Sequence, residues 1–438
     1  MNFPTIKKFS TQALTILLLS ELAAVITGPP GSADAPWSGV QGSITQKTSF
    51  FGLFIVGRWI FFYAIGIACY VVARSLRKVN SKTSALKTFR TSYNSVTDNK
   101  YFKPLALVAV AILAIMLPTI ISDPFWRQAM VSQIAVFILL ALGLNVVVGF
   151  AGLLDLGFVA FYAVGAYATA WCTGALPMPP IFGSHINPFF TIPIAIGLAM
   201  VSGVILGIPT LRLRGDYLAI VTLGFGEIIT LFANNLTGIT GGAQGTKQIP
   251  HFSLHLGPLK YIWGLDPAPY YYLVIGFVIF FIFIFFSLEH SRVGRAWTAI
   301  REDEVAAESL GINPLKYKVM AFAIGAASAG FAGVMTAAQS NYLTPATFTL
   351  YLSINILVLV IFGGMGSIFG VVFGAIVIQT ITMYLIHSPP AGYQPQDLYI
   401  YIGALLVIMM IFRPAGLFPA RRRHRADSDA SRLEDSNV

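Results

Sequence analysis

The polar residues whose spacing suggests chemistry lie in an otherwise apolar stretch, residues 216–236. Glu227, Thr230 and Asn234 follow at intervals of three and four residues, so an α-helix places them on one face. A carboxylate deep in a membrane helix is costly and normally faces protein or a water-filled cavity. The stripe therefore has two interpretations, the lining of a solute path or hydrogen bonds that hold a helix bundle together. Asp155, in a glycine-rich segment, is a further path candidate.

Enzyme chemistry is not indicated by the sequence. The HExxH and GxSxG motifs are absent and the histidines are scattered, so we expect no catalytic residues, no metal site and no cofactor. The segment "GGAQGTK" at residues 241–247 differs from a phosphate-binding loop because Thr246, not glycine, precedes the lysine. Any energy from ATP must therefore come through a separate subunit.

The composition is that of a membrane protein. The chain is 56% hydrophobic and 11% charged, whereas soluble domains carry about 25% charged residues. Its apolar stretches are apolar on all sides, which predicts helices rather than barrel strands. We predict an all-α, polytopic helical membrane protein with about 12 spans. The stretches are 11–27, 50–73, 104–122, 128–150, 155–175, 189–209, 216–236, 270–288, 319–340, 350–362, 368–387 and 397–412.

The basic residues predict the orientation in the membrane. If the N-terminus is cytoplasmic, alternating spans bring the basic segments 74–103, 212–214, 292–318 and 413–425 to the cytoplasmic side. The C-terminus is then cytoplasmic too. The net charge of +10 thus reflects orientation rather than a nucleic-acid partner. The first stretch also fits a cleavable signal peptide, with an Ala-Asp-Ala site at residues 33–35.

A charged segment between two spans predicts a helix at residues 297–310. Alanine and glutamate favour helix there, Gly311 is a C-cap, and Pro314 is a stop signal. Four apolar residues recur at helical spacing, which favours a partner protein as the cover for this side. The alternative is a solvated helix that only separates two spans. The apolar residues are Trp297, Ile300, Ala307 and Leu310.

Several segments together resemble one protein family, the LivM-type permease subunits of bacterial ABC importers for branched-chain amino acids. The similar segments are "LRLRGDYLAIVTLGFGEI" at 211–228, "NNLTGITGGAQG" at 234–245, "GRAWTAIREDEVAAESLGIN" at 294–313, "VLVIFGGMGSIFG" at 358–370 and "FRPAGLFP" at 412–419. The resemblance implies a ten-span permease core in the bacterial inner membrane, not an enzyme. It also implies ABC ATPase subunits, a paired homologous permease and a periplasmic or extracellular solute-binding protein as partners.

The resemblance also implies how the chain is divided. Residues 1–73 would form two N-terminal spans with a periplasmic loop, and 74–103 a basic cytoplasmic linker. The permease core would then cover 104–413. Within it, 290–318 would be the cytoplasmic coupling loop, and 414–438 would follow as a basic, then polar, cytoplasmic tail.

The coupling helix of ABC importers carries the pattern E-A-A-x-x-x-G. Ala306, Ala307 and Gly311 match this pattern, while Val305 stands in place of the glutamate and Glu304 lies one position earlier. The resemblance therefore implies contact with the ATPase through Glu304, Ala306, Ala307, Glu308 and Gly311. Two alternatives remain for the function: a permease for urea or short amides, and an ion-coupled secondary transporter that uses Glu227 or Asp155.

Overall fold

The computed structural model describes most of the predicted core. It covers residues 116, 118–119, 123–180, 186–210, 216–256, 259–264, 266–387, 397–413 and 416–418. The predicted N-terminal spans, the linker 74–103, nearly all of the stretch 104–122 and all but three residues of the tail lie outside the described residues.

Helices dominate this part of the chain. They are α1 (Pro124–Phe150), α2 (Val159–Cys172), α3 (Pro188–Thr210), α4 (Asp216–Asn235), α5 (Thr237–Thr240), α6 (Pro267–His290), α7 (Arg292–Glu302), α8 (Glu304–Ser309), α9 (Pro314–Ser340), α10 (Leu350–Gly363), α11 (Ile368–His387) and α12 (Asp397–Phe412).

The predicted fold class is confirmed for the described residues. Seven helices are long and apolar enough to cross a membrane, and they coincide with seven of the nine stretches predicted between residues 128 and 412. The other two stretches correspond to α2 and α12, whose apolar helical parts are shorter than a full span. Short antiparallel strands accompany the helices: β1 (Thr246–Lys247) pairs with β4 (Tyr342–Leu343), and β2 (Ser253–Leu256) pairs with β3 (Leu259–Ile262).

The helices α1 and α9 form the core. In their most apolar 18-residue windows, 83% and 78% of residues are buried, against 28–33% in α3, α4 and α6. Small residues allow the close approach that this burial needs. A Cβ added to Gly325 of α9 would lie 2.8 Å from Gly143 O of α1, and one added to Gly165 of α2 would lie 2.3 Å from Gly330 O. Backbones therefore pack directly against α9.

The segment 151–158 explains why α2 is shorter than predicted. Its backbone is not helical, and distant side chains accept from an amide within it and from the one directly after it: Leu156 N donates to Thr222 Oγ1 at 3.1 Å, and Val159 N donates to Ser353 Oγ at 3.2 Å. Non-helical backbone is tolerated within a membrane domain where protein groups bond it in this way. The helix begins at Val159 rather than at residue 155.

The connections gather at two opposite ends of the spans. At the first, here called the α7 end, Trp297 stacks on Phe150 with ring centroids 6.4 Å apart, and Gly366 N donates to Asn145 Oδ1 at 2.8 Å. At the other, the β1 end, Thr246 bonds the connection after α2 and pairs with β4.

Candidate functional site

The charged segment folds as two helices, so the prediction of one helix over residues 297–310 was wrong. The first helix, α7, begins at Arg292, where Ser291 Oγ accepts from Val293 N at 3.1 Å and from Gly294 N at 3.3 Å. Asp303 then breaks the helix with extended backbone, φ −155° and ψ 111°. Its carboxylate accepts hydrogen bonds from two backbone amides of α8 at 2.9 and 3.0 Å. An N-cap of this kind starts a new helix.

The end of α8 is as predicted. Gly311 has a φ of +83°, a left-handed conformation that glycine adopts without strain. Gly311 N donates to Glu308 O at 2.9 Å, and Ile312 N donates to Ala307 O at 3.1 Å. Pro314 does more than stop the helix, because it is also the first residue of α9.

The apolar side of α7 and α8 packs against the chain itself. Trp297 is fully buried, and its Nε1 donates to Tyr317 O at 2.7 Å. Ile300 and Ala307 are also buried, with 5% and 2% of their surface exposed. The interpretation that a partner covers this side was therefore wrong for these three residues. The last turn of α1 and the first turns of α9 supply the cover.

Arg301 fastens α7 to the end of α1. Its Nη1 donates to Gly149 O, one of the last carbonyls of α1, where a positive charge complements the helix dipole. Gly152 makes room for the side chain, since an added Cβ would lie 2.7 Å from Arg301 Cγ and the glycine φ is +73°. The last turn of α1, Asn145–Phe150, is a wide π-helical turn, a feature frequent at functional sites.

Glu304 fastens α8 to α9. Its Oε1 lies 2.6 Å from Lys318 Nζ, and the lysine side chain is only 6% exposed whereas that of the glutamate is 36% exposed. The carboxylate of Glu304, predicted to contact an ATPase, pairs in this chain with a buried lysine. The two residues are 14 positions apart, on separate helices, so no helical spacing in the sequence indicates the pair.

The exposed surface of α8 and its C-terminal cap includes Val305, Ala306, Glu308, Leu310 and Gly311. Leu310 is 81% exposed and Val305 60% exposed. Three of the five predicted coupling residues are thus on this face, while Ala307 is buried and Glu304 faces Lys318. Sequence reasoning missed Val305 as a surface residue. An exposed apolar patch with charged neighbours is the form that protein docking sites take.

The stripe predicted on α4 is present. Glu227, Thr230 and Asn234 are all partly buried and lie along one flank of the helix. Thr230 Oγ1 donates to Phe348 O at 2.7 Å. Within the described residues, no hydrogen bond or ion pair joins the Glu227 carboxylate to another group. The stripe borders an exposed apolar face of the same helix, formed by Tyr217, Ile220, Val221, Ile228, Leu231 and Phe232.

Asp155 does not join this stripe. It is fully buried, and its Oδ1 accepts from Gly157 N at 2.9 Å, while no described group bonds its Oδ2. Its segment meets α4 at Thr222, which lies on the buried side of that helix. The structure thus places Asp155 and Glu227 on different sides of α4.

Phe348, behind the stripe, was missed in the sequence. Phe348, whose carbonyl accepts from Thr230, lies with its ring centroid 5.1 Å from that of Tyr162. Tyr162 Oη in turn donates to Thr336 Oγ1 of α9 at 2.8 Å. The contacts connect α4 to the core helix α9. In the part of the chain that the structure describes, no three His, Cys, Asp or Glu side chains come together as metal ligands.

Comparison with known proteins now decides the family. Residues 128–412 match the family described as "Branched-chain amino acid transport system / permease component". The chain belongs to this family. It is 39% identical over 362 residues to the high-affinity branched-chain amino acid transport system permease protein LivM of Escherichia coli strain K12, which is 76% of this chain and 81% of that protein. The LivM protein of Salmonella typhimurium is 36% identical, over 83% of this chain and 86% of its own length.

A second type of permease in the same family is more distant. The LivH permease protein of Salmonella typhimurium is 24% identical over 64% of this chain and 90% of its own length. No solved structure matches this chain. As a permease of an ABC transport system, the chain is a membrane component and not the catalytic one, as its sequence resemblance implies.

Proposed function

We propose that this permease carries branched-chain or related aliphatic amino acids across the bacterial inner membrane into the cell, driven by ABC ATPase subunits bound at the α7 end. The observation that carries the proposal is the exposed face of α8 and its attachment. Val305 of α8 and Leu310 at its C-terminal cap are exposed, and Glu304 ties α8 to α9, while Arg301 ties the preceding helix α7 to α1. These two core helices would receive any displacement of α8.

The charges support a cytoplasmic location for the α7 end. Six described basic residues lie there, whereas three, Arg127, Lys247 and Lys260, lie at the β1 end. Lys and Arg are enriched in cytoplasmic loops of membrane proteins. The β1 end is then periplasmic and available to a solute-binding protein. The described basic residues of the α7 end are Arg292, Arg295, Arg301, Lys316, Lys318 and Arg413.

A paired permease is the partner that we propose for the exposed face of α4. Lipid would cover Ile228 and Leu231 well, but the neighbouring Glu227 and Asn234 need protein or water. The similarity of this chain to a LivH permease supports a homologous subunit as that cover. The stripe would then face a path between two permeases.

Glu227 provides the test of this path. In the assembled complex, Glu227→Gln should retain measurable uptake of radiolabelled leucine, because the amide keeps a hydrogen-bonding group. Glu227→Leu should lose most uptake while the complex still assembles. Glu289→Leu, at the end of α6, is the matched control and should transport normally. Full transport by the Glu227→Leu variant would exclude a role in the path.

The same assay addresses the two alternative functions. A secondary transporter with Glu227 as its proton site should lose uptake as fully with Gln as with Leu, and a proton uncoupler should abolish its wild-type transport. A permease for urea or short amides should take up radiolabelled urea in preference to leucine. Either result would replace the proposed function.

A further inference from the structure

A pocket of about 400 Å³ opens at the β1 end. One wall is Ala175, Leu176 and Pro177, which follow α2, and the other is the glycine-rich turn from Gly241 to Lys247. Buried Thr246 joins the two walls, because its Oγ1 donates to Ala175 O at 2.5 Å. The pocket is therefore a built feature of the fold and not a gap between loose loops.

Backbone constraints hold the glycine-rich wall in place. Gly241 and Gly245 have φ values of +84° and +69°, and a Cβ added to Gly245 would lie 2.1 Å from Leu343 O. The strand after this turn pairs with β4, with Lys247 opposite Tyr342. This pairing fixes the position at which Lys247 enters the pocket lining.

The lining has the chemistry of a zwitterion with an aliphatic side chain. Among the described residues that line it, Lys247 is the only charged one and none is acidic. An ammonium group attracts a carboxylate, while Leu176 and Pro177 offer apolar surface to a hydrocarbon chain. We propose that this pocket is a receiving site, in which Lys247 binds the carboxylate of an aliphatic α-amino acid before it enters the membrane path. The inference rests on the proposed function, because it takes the β1 end as the outer one.

The turn that forms one wall of the pocket lies against the end of α4 that carries Asn234. A Cβ added to Gly242 would lie 3.2 Å from Asn234 O, and Thr240 Oγ1 donates to Ala233 O at 2.8 Å. Glu227 is seven residues further down the helix, about 10 Å away along its axis. In this proposal the carboxylate is bound first at Lys247, and the ammonium group meets Glu227 later.

The experiment uses the assembled complex of the two permeases and the ATPase subunits, without the solute-binding protein. Saturation-transfer NMR with L-leucine and with L-leucinamide, which lacks the carboxylate, measures weak binding directly. Leucine should bind to the wild type and leucinamide should not. Lys247→Gln should raise the leucine concentration for half-maximal signal about threefold to tenfold, in the range for loss of a partly exposed charge pair. Lys247→Arg should bind nearly as the wild type does. Lys316→Gln, which removes a lysine at the opposite end, should leave leucine binding unchanged.

A second experiment tests whether the carboxylate that Lys247 binds belongs to the amino acid or to the solute-binding protein. ATPase activity is titrated with the solute-binding protein, and its half-stimulating concentration should be the same for the wild type and Lys247→Gln. A severalfold higher half-stimulating concentration for Lys247→Gln, with unchanged leucine binding, would show that Lys247 binds an acidic residue of the solute-binding protein. That result would overturn the inference. Absence of a leucine signal in the wild type, or equal signals from leucine and leucinamide, also overturns it. Leucine uptake by the wild-type complex reports separately on the proposed function.

Discussion

The ion pair between Glu304 and Lys318 allows a quantitative prediction for the attachment of α8. Their charged atoms are 2.6 Å apart, and the lysine side chain is 6% exposed. Removing one partner of a fully buried pair costs about 3–5 kcal/mol. Since Glu304 is 36% exposed, solvent screens part of this interaction, and we expect Glu304→Leu to cost about 2 kcal/mol. Leucine and glutamate have similar helix propensities, so the cost falls on the attachment rather than on helix formation.

Hydrogen exchange measured by mass spectrometry tests this value. If α8 opens locally, a loss of about 2 kcal/mol lowers the protection of its amides about 30-fold. Glu308→Leu is the matched control, because it makes the same change on the exposed face of the same helix and should leave protection unchanged. Glu304→Leu combined with Lys318→Met should recover most of the protection, since no charge is left buried. Wild-type protection in Glu304→Leu, or a double variant no better than the single one, would refute the reasoning.

Four further results are expected from the same fold. Leu310→Asp should leave the permease folded but reduce co-purification of the ATPase subunits at least tenfold, because a leucine buried at an interface contributes about 1.5–3 kcal/mol. Ala307→Arg should instead lower the yield of folded permease on a gel-filtration column, because this side chain is buried within the chain. Thr230→Val should reduce leucine uptake several-fold with normal assembly, since its bond to the backbone beside the stripe is lost. Spin labels attached to cysteines that replace Lys316 and Ser340, in a variant without other cysteines, should stay about 36 Å apart with and without ATP, because α9 is continuous. A change in this distance of more than about 3 Å would contradict a rigid α9.

Hydrophobicity and length are sufficient to locate most of the spans in this sequence. A helix that crosses a membrane must satisfy its own backbone over about 20 apolar residues, so the signal is local. The start of α2 is different because it depends on distant residues. Thr222 lies 66 positions from the amide whose hydrogen bond it accepts, and Ser353 lies 194 positions from its own. No local pattern around Asp155 reveals such partners, which is why the predicted span began four residues too early.

The candidate site shows the same division between local and distant causes. Gly311 was predicted correctly because a left-handed C-cap depends on the residue itself. The N-cap at Asp303 was missed although the signal was present, an aspartate directly before Glu-Val-Ala-Ala. Helical spacing placed Trp297 and Ala307 on one apolar side, but spacing does not show which part of the protein covers that side. The neighbours are the first turns of α9 and the end of α1, whose Gly149 is 152 positions from Arg301.

The helix α9 links the two parts of the site mechanically. Near its start, Lys318 holds Glu304 of α8, and near its end, Thr336 accepts from Tyr162, whose ring contacts Phe348 beside the α4 stripe. These two positions are 18 residues apart, or about 27 Å along an unbroken helix. In contrast, α1 contains two wide π-helical turns, one of them at the end that Arg301 holds. A displacement of α8 should therefore be carried by α9 as a rigid body and absorbed in α1 as a change of shape.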